Sequence, residues 1–314
     1  MTPAVEGYYN LPMLKRPLWG WEIALYFFSE GISSGTFILA TLADVCGSGR
    51  YAALISQAHA VAFVSLLPCP PLLIADLGRP ERFHHMLRTF KISSPMSVGA
   101  WALLGFSAPV TLLALTRFRW FRWIPAKAVG LAGMPFALFM LGYPGVLLST
   151  TSIPVWSQSR WLGALLTASS MACGASALAI ATALHPAGKA PAREAIHRIE
   201  GLVNVAEAAV LAGYVYTAGP AAHPLTKGRQ SKLFLFGAVV AGLALPALIT
   251  ATRKKPGRSS TILSGALSLA GALALKWSIV HAGRESADDA AGTRAVTRAT
   301  PTNRGWRQPE AARS

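Results

Sequence analysis

Apolar runs of about 20 residues recur from one end of the chain to the other, and each is long enough to cross a hydrocarbon core of roughly 30 Å as a helix. They fall at 18–43, 51–75, 96–116, 124–149, 161–184, 197–217, 232–252 and 261–281. The runs are continuous rather than alternating, and in lipid a helix satisfies its own backbone polar groups. The expected fold class is therefore an all-α integral membrane protein of eight transmembrane helices, arranged as two four-helix bundles. Composition agrees: 53% of the 314 residues are hydrophobic and 13% are charged, where a soluble domain carries about 25% charged residues. Residues 1–17 form a polar segment with no cleavable signal peptide expected, 18–282 the membrane domain, and 283–314 a tail without apolar periodicity that reads as disordered.

The formal charge of +16 does not point to nucleic acid. Lys and Arg stand in short blocks between apolar spans, where they meet lipid headgroups or the acidic surface of a partner. An even number of spans puts both termini on one side, called the N-face here, together with the loops near 80–94, 150–160 and 218–231. The N-face carries 16 Lys and Arg against 12 on the other side, but six of the 16 lie in the tail. So narrow a margin does not orient the chain by the positive-inside rule. The three cysteines, Cys46, Cys69 and Cys173, are scattered without a CxxC pair; iron–sulfur clusters are usually held by four thiolates, so no cluster is expected in this chain.

Ionisable groups inside the spans carry the most information, because each costs about 2.5–3.5 kcal/mol at a helix centre on insertion scales. The first span, WGWEIALYFFSEGISSGTFILATLAD, holds Glu22 near its start, Glu30 near its middle and Asp44 at its exit. Gly31 and Gly35 form a GxxxG pair that lets a neighbouring helix come close. Glu30 is either a proton or ligand group or a protonated acid bonded across helices. The second span has Gln57 and His59 in its first half and then LLPCPPLLIAD, whose prolines remove backbone donors and kink the axis. For His59 the readings are a proton role, a packed histidine or a haem ligand; the last needs a second imidazole at matching depth, and no haem is expected.

In HRIEGLVNVAEAAVLAGY of the sixth span, His197, Glu200, Asn204 and Glu207 recur at helical spacing and fall within about 80° of one another around the axis. They make a polar stripe running from the face opposite the N-face toward mid-membrane. Such stripes serve as proton relays or as polar glue between helices. The fourth span ends in LGYPGVLLSTTSIPVW, where the Pro144–Gly145 pair is expected to break or bend the helix. Tyr143 before it is either an interfacial aromatic or a phenol that donates to a carbonyl ligand.

The segment DLGRPERFHH directly follows the second span on the N-face, where the first span begins and the fourth ends. Lys276 of the eighth span approaches the same face. Arg79 and Arg82 are near enough in sequence to Asp76 for an ion pair that fixes the loop. The alternative is a loop folded over a pocket and offered to a protein partner, with Arg82, His84, His85, Arg88 and Lys91 as the contact surface.

These residues resemble the NrfD family, through PLWGWEIALYFFSEGISSGTF, DLGRPERFHHMLRTFKISSPMSVGAW, YPGVLLSTTSIPVW and, more weakly, LKWSIVHAG, in order along residues 8–283. The resemblance implies an eight-helix membrane subunit without its own redox metal, which binds a quinone (menaquinone or ubiquinone). Such a subunit exchanges electrons with a ferredoxin-like iron–sulfur subunit, itself joined to a molybdopterin or multihaem catalytic subunit. It implies that Tyr143 contacts the quinone and that Asp76 and Arg79 form the charged motif beside it; Glu22 is placed at the same end by the topology. Pro144 stands where the family's YTG pattern has threonine, and Glu30 where many members carry a small residue. The resemblance also puts the protein in the inner membrane with the partner-docking N-face at the periplasm.

Quinone reduction takes up two electrons and two protons. Protons reach the site from the N-face directly or through the stripe from the other side, with Glu30 and His59 as further intramembrane carriers. Two rival readings stand: a secondary transporter, which ordinarily shows broken helices at matching positions of an internal repeat, and a structural anchor without a working quinone site.

Overall fold

A computed structural model describes residues 14–47, 51–88, 90–185, 190–252 and 257–289. The eight spans are helices α1 (Trp21–Cys46), α2 (Ala52–Asp76), α3 (Pro95–Leu115), α4 (Ala126–Ser149), α5 (Trp161–Leu184), α6 (Ala190–Ala218), α7 (Leu233–Thr252) and α8 (Arg258–Asp288). No strand occurs among the described residues. Helices α1 to α4 pack as one bundle, α1 on α2 and α4, and α3 on α2 and α4. In the second bundle α5 packs on α6 and α8, and α7 on α8. The chain is a multi-pass membrane protein, and the large apolar side chains exposed on its outer helix faces, such as Leu202, Val205, Leu235 and Phe236, lie where lipid replaces water as solvent.

The bundles join where α1 crosses α5. A Cβ on Gly31 would stand 2.6 Å from Ser170 Oγ, and one on Gly35 would stand 2.6 Å from the Ser170 carbonyl oxygen. Gly174, four residues after Ser170, meets Gly35 in the same way. Two small-xxx-small pairs thus face each other, and the backbones approach closely enough for Thr36 Oγ1 to donate to the Gly174 carbonyl at 3.4 Å.

The proline-rich part of α2 interrupts the helix at Leu67 and Pro68. The hydroxyls of Ser33 and Ser65 donate to the Ala62 and Val61 carbonyls, each at 2.7 Å, in the turn before the break. Of the break or bend expected at the Pro144–Gly145 pair, the break does not occur: α4 runs through it to Ser149. The consequence of the pair is close packing, since a Cβ on Gly145 would stand 2.4 Å from Gly163 Cα of α5. At the other end of the chain, α8 continues to Asp288, past the expected start of the tail at 283; residues 290–314 of that tail lie outside the described residues.

Beyond α4 the segment TTSIPVW turns inward. Trp156 is fully buried, donates from Nε1 to the Ile279 carbonyl at 2.8 Å and packs on Gly283, both of α8. Tyr214 of α6 donates to the Val155 carbonyl at 2.7 Å. These bonds tie the N-face ends of α6 and α8 together under Trp19, whose ring centroid lies 5.6 Å from that of Trp156.

Candidate functional site

At the N-face end of the first bundle, α1, α2, α3 and α4 surround a small cleft that opens to the surface. Trp19, Ile23, Tyr26, Leu73, Leu77, Met96, Ala100 and Leu147 form mostly apolar walls, while Asp76 and Tyr143 supply polar groups. The first turns of α3 (Pro95–Leu115) form one wall of the cleft through Met96, Gly99 and Ala100. Ser94 caps α3 by accepting from the Ser97 amide at 3.4 Å, and Gly99 one turn on presents no side chain, so the Tyr143 ring lies against the α3 backbone. The Tyr143 hydroxyl donates to the Pro95 carbonyl at 3.1 Å, and the ring stacks on Phe139 at 5.7 Å. Its proton is thus engaged by the protein's own backbone, leaving its lone pairs as acceptors.

Asp76, half-buried at the end of α2, has Glu22 of α1 and Arg284 of α8 within electrostatic reach. Arg284 is fastened by donating to the Leu18 carbonyl at 2.9 Å. Among the described residues neither Arg79 nor Arg82 forms an ion pair with Asp76, contrary to the local pairing that their spacing suggested. Arg79 is exposed at the start of the hairpin and does not line the cleft, and neither does Glu22.

The hairpin itself folds as a short turn, Pro80–Arg82, and a short helix, Phe83–Arg88. Arg82, His84, His85, Arg88 and Lys91 are all exposed, and the two imidazoles lie 4.3 Å apart. Exposed Phe83, Phe90 and Ile92 stand among them, so the surface above the cleft is both cationic and apolar. The Lys91 amide donates to Ser97 Oγ at 3.0 Å and ties the hairpin's return segment to α3.

A second polar region lies deeper, where the bundles meet. Glu200, Asn204 and Glu207 of α6 are buried, with His197 half-buried at the far end of the row. Ser176 of α5 donates to Glu200 Oε1 at 3.1 Å. The other Glu200 oxygen and both Asn204 amide atoms are buried without a hydrogen-bond partner, as are both carboxyl oxygens of Glu30. Lys276 of α8 is completely buried and donates to Ser169 Oγ at 3.0 Å and to Cys173 Sγ at 3.7 Å. It acts electrostatically on both Glu30 and Glu207. Lys276 therefore stands well inside the membrane rather than at the N-face, twelve residues before the end of α8, or about 18 Å along the axis. His59 is buried in the opposite half of α2, with Asp44 and Arg117 in electrostatic reach, far along that helix from Asp76.

The sequence alone assigned no role to Lys276, Arg284 or Tyr26. The first was visible as a cation inside an apolar span, which is itself a functional signal. Arg284 carried no local signal for contact with Asp76, because the two are brought together only by packing of α8 on α1.

Fold and site together define a class: an integral membrane subunit with a cleft under a cationic hairpin and a separate ionisable cluster at mid-membrane. The family profile described as "Polysulphide reductase, NrfD" matches residues 10–286, and the chain belongs to that family. It is 27% identical over 308 residues to a polysulfide reductase chain of Wolinella succinogenes, the match covering 88% of this protein and 97% of that one. A shorter match, 31% identical over 98 residues, links 31% of this protein to 22% of a selenate reductase subunit of Mesobacillus selenatarsenatis.

Proposed function

We propose that the protein is the membrane-anchoring, quinone-reactive subunit of a respiratory oxidoreductase complex. In this reading it exchanges electrons with an iron–sulfur subunit docked over the hairpin, and that subunit joins a molybdopterin or multihaem catalytic subunit. The observation that carries the reading is the cleft, with its apolar walls and two polar groups directly beneath an exposed basic surface. Its lining fits a flat, largely apolar ring with carbonyl edges, for which Trp19, Tyr26, Leu73 and Met96 offer apolar surface; the isoprenoid tail of such a ligand would remain in lipid. Membership of the NrfD family and the likeness to a polysulfide reductase chain support the same assignment. A bound menaquinone or ubiquinone would supply two-electron, two-proton chemistry.

The chain's own residues have distinct tasks. Asp76 holds or passes a proton at its carboxyl oxygen, with Arg284 and Glu22 setting the local charge. Tyr143, held by Pro95, offers its oxygen at a defined position on the cleft wall. Arg79, Arg82, His84, His85, Arg88 and Lys91 attract and orient the partner, since steering of charged surfaces sets association rate and register. Glu30, Glu200, Asn204, Glu207 and His197 form the internal route for protons from the opposite face, while His59 lies off that route near the far end of α2. The N-face is assigned to the periplasm and the chain to the inner membrane as part of this proposal.

Isolation of the complex from native membranes and titration with a fluorescent quinol analogue is the test. Saturable binding displaced by native quinone, and weakened by Asp76→Asn, is expected with an iron–sulfur subunit in the preparation. A complex that contains the partner but binds no analogue would reduce the chain to a structural anchor.

A further inference from the structure

We propose that Lys276 is the fixed cation that lets a single proton be shared between Glu207 of α6 and Glu30 of α1, and so carries the proton route across the seam between the two bundles. This rests on the proton-relay part of the proposed function and adds the group that completes it. Lys276 is the one fully buried cation among the described residues, and its bonds go to Ser169 and Cys173 of α5 rather than to either carboxylate. The same Ser169 hydroxyl is within hydrogen-bonding reach of the Glu207 carboxyl. Glu30 reaches the site from the opposite bundle, with Lys276 in electrostatic reach and the Ser34 hydroxyl of its own helix beside it. The titratable groups facing Lys276 are thus Glu30 from α1, Cys173 from α5 and Glu207 from α6; α7, which packs on α8, contains none.

Charge counting then restricts the site. One ammonium and two ionised carboxylates would leave a net negative charge in a region walled by apolar side chains, which is costly. With one carboxyl protonated the cluster is neutral, and it is equally neutral whichever of the two holds the proton. In the transfer the O–H bond at Glu207 breaks, an O–H bond forms at Glu30, and Lys276 stays an ammonium throughout, so no net charge appears in the membrane interior. On one side the route continues through Asn204 and Glu200 toward His197. On the other, Tyr26 stands one helical turn before Glu30 on the same face of α1 and lines the cleft.

Infrared difference spectroscopy on the intact complex reads this directly, through the C=O stretch of protonated carboxylic acids and its shift in D₂O. Glu30→Gln and Glu207→Gln should each abolish the same one-proton band, because the surviving carboxylate ionises against Lys276. Lys276→Met should instead double the band, both acids then being protonated, while Lys276→Arg preserves it. If the band survives in either Gln variant, the remaining acid stays protonated beside Lys276 and the charge-balanced one-proton cluster is overturned; an unchanged band in Lys276→Met overturns it equally. Should Lys276→Met fail to assemble, the pair of Gln variants decides alone. The band is read without quinone, so failure of analogue binding in the wild-type complex would count against the proposed function and leave this result standing.

Discussion

Replacing Gly99 with alanine perturbs the cleft at one atom. A methyl group built there would lie 2.1 Å from both Cζ and Oη of Tyr143 and 2.7 Å from Cε1. Carbon atoms rest at about 3.5 Å or more, so the ring must retreat by about 1.4 Å. Such a shift carries the hydroxyl out of range of the Pro95 carbonyl, from which it now stands 3.1 Å. Loss of that bond costs about 0.6–1.7 kcal/mol in a membrane interior, and the overpacking adds about 1–3 kcal/mol. Because Gly99 and Tyr143 both line the cleft, the displaced ring also changes its shape. A ligand that used that wall should lose about tenfold or more in affinity, equivalent to roughly 1.4 kcal/mol. Tyr143→Phe keeps the ring in place, removes only the hydroxyl and should weaken binding less. The assay is fluorescence titration of a quinol analogue into the purified complex, with thermal unfolding in detergent as the control. Wild-type affinity in a folded Gly99→Ala complex would show that the cleft is not where the analogue binds.

Three further outcomes follow from other parts of the molecule. Glu207→Gln should slow quinone-linked turnover by on the order of 10²-fold, the usual contribution of a positioned acid–base group, with normal assembly on native gels; unchanged turnover would make the row on α6 polar glue. Arg82→Glu with Arg88→Glu should strip the iron–sulfur subunit from the complex in a salt-dependent manner, as seen in pull-downs, while analogue binding to the membrane subunit persists. Trp156→Ala removes a fully buried ring and its bond to Ile279, which should cost about 3–5 kcal/mol and appear as a lower unfolding temperature without change in the spectrum of protonated acids.

Much of the architecture was legible in the sequence because membrane insertion leaves a long one-dimensional record. Eight apolar runs became eight helices, the prolines at 68, 70 and 71 marked a real interruption, and the period of His197, Glu200, Asn204 and Glu207 put three buried groups on one face. What the sequence did not reveal depends on contacts between distant segments. Asp76 has Arg79 three residues away, yet its cationic neighbour is Arg284, because the hairpin turns Arg79 outward while α8 passes behind α1. Pro144 pointed to a break or a bend, and α4 continues through it and uses the adjoining Gly145 to touch Gly163. Lys276 was readable as a buried charge; its two carboxylate neighbours were not, since they arrive from α1 and α6.

Photolabelling of the intact complex with an azido-quinone, followed by peptide mapping, addresses the cleft itself. Labelling competed by native quinone is expected on the peptides that carry Tyr26, Asp76, Met96 and Tyr143, and should disappear in Gly99→Ala. Competed labelling confined to the second bundle, or found only on the partner subunits, would contradict the assignment of this cleft as the quinone site.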